Sequence, residues 1–179
     1  MIYRFRFVSD EVVNFVREIE IDADATFLDL RNAILDSVKF SRDELDSFLI
    51  CDDGWEAHEE ITLEDMGSAS DKDVWLMADT PISELVEDEG QKLRFVFDYM
   101  TDRSFFMELA EVETGRDIDA PVCTVAKGLP PKQVVALDDF EAQLEAANAK
   151  ARAEADDLGF DDEGYDDEDL SSLSDDIEF

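Results

Sequence analysis

The stretch that most limits what this chain can fold into is residues 91 to 113, QKLRFVFDYMTDRSFFMELAEVE. Leu93, Phe95, Phe97 and Tyr99 alternate with Arg94, Val96 and Asp98. Successive side chains of a strand point to opposite sides, so a period of two puts the first set on one sheet face. Beyond the polar break at Thr101 and Asp102, Phe105, Met107 and Leu109 resume the alternation, and Val112 falls out of step, which predicts a bulge or a strand end. The two runs read as an antiparallel hairpin at the centre of a sheet. This hairpin supplies core and carries no obvious reactive group.

The rest of the chain offers partners for that sheet. Tyr3, Phe5 and Phe7 alternate with Arg4 and Arg6, Ser9-Asp10-Glu11 breaks the run, and Val13, Phe15, Ile19 and Ile21 resume it, predicting two strands and a short turn. Thr26 is placed to cap a helix, with Asp29 at the third helical position favouring the positive end of the helix dipole. Phe27, Leu30, Ile34 and Val38 share one face of that helix, which packs on the sheet. Residues 41–45 predict a short helical turn, 48–51 a strand, 61–66 another helical turn and 74–78 an apolar strand. Pro81 opens a brief helix through Val86, and 114–136, with Gly115, Pro121, Gly128, Pro130 and Pro131, reads as an irregular crossing. A helix follows, with Asp138 as cap, Glu141 three residues on, and a stripe of Phe140, Leu144, Ala147 and Ala151. The fold class is therefore α+β: a mixed, mainly antiparallel sheet with a packed helix over 1–136, a C-terminal helix over 137–157 and an acidic tail over 158–179. Few apolar groups lie beyond Asp156, so that tail is expected to be disordered when alone.

Charge narrows the partners. The chain has 49 Asp and Glu against 15 Lys and Arg, a formal net charge of −34. Residues 154–179 hold 13 of the acids and no base, which leaves 15 − 36 = −21 for the rest. Binding to nucleic-acid phosphates or anionic lipid depends on Lys and Arg releasing counterions, so direct nucleic-acid or membrane partners are not expected. A basic protein surface is. Cys51 and Cys123 lie 72 positions apart and outside any CxxC pair, which fits free thiols rather than a disulfide framework or a thiolate zinc site. The charged start MIYRFRFVSDE lacks an apolar run of signal-peptide length, and a cytoplasmic location is expected.

At QKLRFVFDYMTDRSFFMEL, with PVCTVAKGLPPKQ further on, the sequence resembles the plasmid pRiA4b ORF-three-like family of plasmids and insertion elements. The ATFLDLRNAI helix and DELDSFLI stand in the family's order, so that the resemblance covers roughly residues 2–133. It implies an α+β fold and a mobile-element context more than an activity. Asp98 and Tyr99 match the family's hairpin, whereas Met100, Thr101, Arg103 and Phe105 stand where it has Gly, Asp, Trp and His. Its His-Leu-His-x-Phe falls on Glu44, Leu45, Asp46, Ser47 and Phe48. A histidine-built site is thus not implied for this member. Cys123, Gly128, Pro130 and Pro131 retain the proline loop, while Lys132 and Gln133 replace the acidic pair after it.

Catalytic and metal sets are scarce. His58, the single histidine, falls in the polar loop WEAHEE, so a Ser-His-Asp, Cys-His or zinc arrangement would depend on it alone. No phosphate loop occurs, and the acids of DDLGFDDEGYDDEDL do not meet EF-hand spacing. No cofactor or metal is expected. Asp98 with Arg94 or Arg103 is the one candidate polar site, a salt bridge or turn contact being its bland counterpart. At the C-terminus, Asp175, Asp176, Ile177 and Phe179 resemble the acidic tip Asp-Asp-Ile-Pro-Phe of bacterial single-stranded DNA-binding protein, with Glu178 in place of the proline. Such a peptide engages a partner through its terminal carboxylate and Phe ring, the acids steering approach. The functional expectation is a non-enzymatic interaction protein of plasmid or insertion-element origin that binds a basic protein. Two alternatives stand beside it: a nucleic-acid mimic that occupies a DNA-binding protein, and an enzyme with a carboxylate and arginine site near Asp98.

Overall fold

The computed structural model describes residues 1–65, 67, 73–135 and 137–157. The chain divides into two compact units, Met1–Val135 and Ala136–Phe179. Among the described residues, the first holds eight strands in one sheet: β1 (Ile2–Ser9), β2 (Val16–Asp22), β3 (Ser47–Cys51), β4 (Ala57–Thr62), β5 (Trp75–Leu76), β6 (Lys92–Asp98), β7 (Arg103–Glu113) and β8 (Val122–Lys127). It also holds two helices, α1 (Phe27–Val38) and α2 (Ile82–Leu85). In the second unit, α3 (Leu137–Asp157) is a 21-residue helix whose Leu144 is exposed.

The strand order is β5-β4-β3-β6-β7-β1-β2-β8, so the aromatic hairpin β6–β7 occupies the middle of the sheet. All pairings are antiparallel except β4 with β5. The step out of phase near Val112 is real: the β1–β7 register shifts between Arg4 and Phe5, where Glu111 and Leu109 are their partners. Counting antiparallel steps across the sheet, β2 and β3 run the same way. The chain between them must therefore cross three strands, and α1 makes that crossing.

The cap of α1 forms as its residues require. The Thr26 hydroxyl accepts from the Asp29 amide at 3.2 Å and the Asp29 carboxylate accepts from the Thr26 amide at 3.0 Å, which satisfies two backbone donors that the helix leaves free. Phe27, Leu30, Ile34, Leu35 and Val38 are buried with Tyr3, Phe5, Phe7, Phe48, Phe95 and Phe105 in one core on a single side of the sheet. The rings interlock: Phe27 lies 5.3 Å from Phe48, Phe48 4.9 Å from Phe95, and Phe97 4.7 Å from Phe105. Each such side chain contributes roughly 2–3 kcal/mol by burial, which makes this layer the main source of stability. Arg31 also faces inward, held by Asp46, so one arm of the crossover is tied by charge as well as by packing.

Six expectations are corrected. Residues 41–45 are bends without a helix, because Arg31 and Asp46 fix the segment through side chains: the Arg31 Nη2 donates to the Arg42 carbonyl at 2.9 Å. Ile61 and Thr62 end β4 instead of opening a helical turn, and His58 sits on β4 rather than in a loop. The strand expected over 74–78 shrinks to Trp75–Leu76. Within the supposed irregular crossing, β8 pairs with β2. Asp138, expected as a cap, lies inside the first turn of α3.

Candidate functional site

Asp98 ends β6, and the tight turn 99–102 leads to Arg103 at the start of β7. The Asp98 carboxylate accepts from the Met100 amide at 3.1 Å and from the Thr101 hydroxyl at 2.8 Å, so it first of all closes this turn. Arg103, its cross-strand partner, is almost wholly buried. Its guanidinium donates to Glu11 at 2.9 Å, to Asp98 at 3.4 Å, to the Gln133 carbonyl at 3.2 Å and to the Lys132 carbonyl, and lies 4.9 Å from the centre of the Phe97 ring. A planar fork is suited to this, since it spreads several donors in fixed directions. Arg103 therefore joins three loops: 10–15, 98–102 and 128–134. The Gln133 side chain extends the tie, accepting from the Ser41 amide and donating to the Ser41 carbonyl, both at 2.7 Å.

Arg94 belongs elsewhere. It pairs in register with Phe106, on the sheet face opposite the core, and donates to Ser104 at 2.9 Å and Asp102 at 3.4 Å. Its guanidinium lies 5.5 Å from the Phe106 ring centre, and its Nε is buried with no acceptor among the described residues. Asp98 and Arg103 are thus brought together and Arg94 is not. The arrangement is a buried structural clamp, in which Nε, Nη1 and Nη2 of Arg103 all meet acceptors of the protein. Asp175, Asp176, Ile177 and Phe179 lie outside the described residues.

Around Arg94 the second sheet face carries groups that sequence reasoning passed over. Trp55, at φ 67°, sets its ring 5.0 Å from Phe106 and under the Lys92 ammonium, also at 5.0 Å. Tyr99 donates to Glu60 at 2.8 Å; burial, reinforced by that carboxylate, pushes its phenol up to about 12. Burial also pushes the Cys51 thiol up, which makes it a poor nucleophile at neutral pH. Towards β2, Arg4 binds Glu20 at 2.8 Å and also Glu111, and Arg116 binds Glu113 at 3.0 Å and also Glu20. The Arg4 hydrogen bond, helped by Arg116, holds the Glu20 carboxyl below its usual range. In this patch Arg4 and Arg116 are interleaved with Glu20, Glu111 and Glu113.

The buried pair that sequence reasoning missed is Arg31 with Asp46, at 2.7 and 2.8 Å from Nε to the two carboxylate oxygens. It occupies a position where the family resemblance places a histidine. Burial pushes the Asp46 carboxyl up against the pull of the guanidinium. His58 sits on the surface, 3.8 Å from Asp52. Among the described residues, no three His, Cys, Asp or Glu side chains are grouped to hold a metal ion, and no helix is long and apolar enough to cross a membrane. A cleft of about 310 Å³ does open at the other end of β2, where Asp22, Asp29 and Asp119 stand over Ile21, Ala25 and Ile118.

Among the described residues, these features define an α+β protein built on one eight-stranded, mainly antiparallel sheet with α1 packed on it and a clamped set of hairpin loops. The model of the plasmid pRiA4b ORF-3-like proteins matches residues 7–172, and the chain belongs to that family. The fold is shared with the protein of unknown function MM3350 from Methanosarcina mazei Go1, whose crystal structure aligns at a TM-score of 0.59 and 17% identity over 80% of this chain and 79% of that one. No functionally curated protein matches the chain.

Proposed function

We propose that this member of the pRiA4b ORF-3-like family, of plasmid or insertion-element origin, is a non-enzymatic interaction protein that holds a basic surface of another protein against its acidic exterior and C-terminal segment. The observation that carries the reading is where the few cations go. Arg4, Arg31, Arg42, Arg94, Arg103 and Arg116 each engage a carboxylate of the chain, and Arg17 donates to the carbonyls of Val16, Ser37, Lys127 and Gly128. With 49 acids in the chain, most carboxylates are left without an internal counter-charge, and a partner rich in Lys and Arg relieves that self-repulsion on binding. Location of Asp98 and Arg103 inside a loop clamp supports a structural role for the residues that an enzyme would have used.

The test compares the full chain with one ending at residue 157 in affinity capture from a host extract at two salt concentrations. High-pI proteins are expected on the full chain at low salt, fewer at high salt and fewer still on the truncated chain. Recovery of the same proteins by the truncated chain removes the tail from the reading. Recovery of none with high pI defeats it.

A further inference from the structure

The loops that Arg103 ties together expose aliphatic side chains that the core does not use. Val13 is 85% exposed, Met100 78%, Leu129 82% and Val134 60%, and all four lie at the hairpin-tip end of the sheet. The loops that carry them are tied to one another by specific contacts. Arg103 links Glu11, Asp98 and the carbonyls of residues 132 and 133, and Gly128 is packed so closely that an added Cβ would lie 2.6 Å from the Asn14 carbonyl oxygen. Large side chains placed in turns cost solubility and add nothing to folding, so a rigidly framed group of them points to something that covers them.

The surroundings of these side chains say what. Asp10, Glu11 and Asp102 flank them on the same loops, Asp43 and Glu44 follow across the Ser41–Gln133 link, and all five are exposed. Lys132 is the exposed cation of the three loops, and Lys39, Arg42 and Lys127 are exposed on the adjoining segments, Arg42 being paired with Asp36. An apolar centre with an acidic rim is complementary to an apolar segment flanked by Lys or Arg. A second copy of the chain would set the same acidic rim against itself, and a nucleic acid would meet it with like charge. Resting on the basic-partner reading above, we infer that the hairpin-tip end, centred on Val13, Met100 and Leu129, is the docking surface for an aliphatic segment of the partner bordered by basic residues.

Two synthetic peptides of equal charge test it: an amphipathic Leu/Lys helix and a Ser/Lys control. Each is titrated at 150 mM salt into the full chain, into the triple variant Val13→Ser, Met100→Ser, Leu129→Ser, and into Val74→Ser, which removes an exposed side chain beside the edge strand β5, three places along the sheet from β6. The Leu/Lys peptide is expected to bind the unaltered chain about thirtyfold more tightly than the control, the triple variant to lose most of that difference, and Val74→Ser to keep it. Because the three side chains are outside the core, circular dichroism of the triple variant should match that of the unaltered chain. Equal binding of the Leu/Lys peptide to the triple variant and the unaltered chain, with the Ser/Lys peptide still bound, overturns the docking surface and leaves the basic-partner reading intact. Failure of both peptides to bind even at low salt overturns that reading and the surface with it. A concentration-dependent dimer that the triple variant abolishes also overturns the inference, by making a second copy the occupant.

Discussion

Replacing Arg103 by Ala tests whether the candidate polar site is a clamp. The side chain is 4% exposed and its partner Asp98 is 12% exposed, so the substitution leaves a nearly buried carboxylate without its counter-charge. The carbonyls of Lys132 and Gln133 lose donors as well, the Phe97 ring loses its cation, and only Glu11, at 30% exposed, has ready access to water. Breaking one side of a buried pair costs about 3–5 kcal/mol, a large part of the 5–15 kcal/mol typical of a folded domain. Urea unfolding followed by the fluorescence of Trp55 and Trp75 should thus show a midpoint lower by about 2 M, given a slope of about 1–3 kcal/mol per M. Arg103→Lys keeps the charge but not the fork, and should fall between the two. Amide exchange adds a local reading: protection should be lost first over residues 128–135 and at Asn14 to Val16. A cost below about 1 kcal/mol with unchanged exchange in that loop would refute the clamp and return Asp98 and Arg103 to the list of functional groups.

Gly128→Ala places a Cβ 2.6 Å from the Asn14 carbonyl oxygen at a φ of 73°, and should lower stability by about 2–3 kcal/mol in the same unfolding assay. Glu20 has a folded carboxyl value held below the unfolded one by Arg4 and Arg116, so its contribution is present above the unfolded value of about 4.3 and is lost as pH falls through the folded value. Stability measured from pH 5 downward should therefore fall less steeply in Glu20→Gln than in the unaltered chain. Tyr99 runs the other way: its folded value near 12 stands above the unfolded value of about 10, so its stabilisation is present below pH 10 and lost as pH rises through 12. Because burial pushes the Tyr3 phenol up as well, spectrophotometric titration of Tyr99→Phe should show one phenol fewer ionising in the upper range than the unaltered chain, not none.

Much of the fold was legible because it rests on local patterns. Alternation over β1, β6 and β7, the Thr26 and Asp29 cap and the α1 stripe all express a geometry that a few neighbouring residues impose. β4 and β8 were not legible. Four of the six residues of β4 are exposed, as are five of the six of β8, so these strands are held by backbone hydrogen bonds to β3 and β2 and leave no two-residue pattern in their side chains. Of the candidate site, proximity of Asp98 to Arg103 followed from a tight hairpin, while Arg94 was separated from them by the facing of the strand, and the aliphatic loop tips carried no periodic signal.

The amino-acid sequence by itself determined the strand-rich, acidic character of the chain, its central aromatic hairpin and the start of its helix, since each depends on spacing along the chain or on summed charge. Tertiary structure alone decided that Arg103 closes three loops that lie far apart along the chain, from Glu11 to Gln133, that Arg31 and Asp46 pair inside the protein, and that Val13, Met100 and Leu129 share one end of the sheet. Those outcomes depend on which strands lie side by side, and strand order is set by the packing of one aromatic face under α1 rather than by any segment read alone.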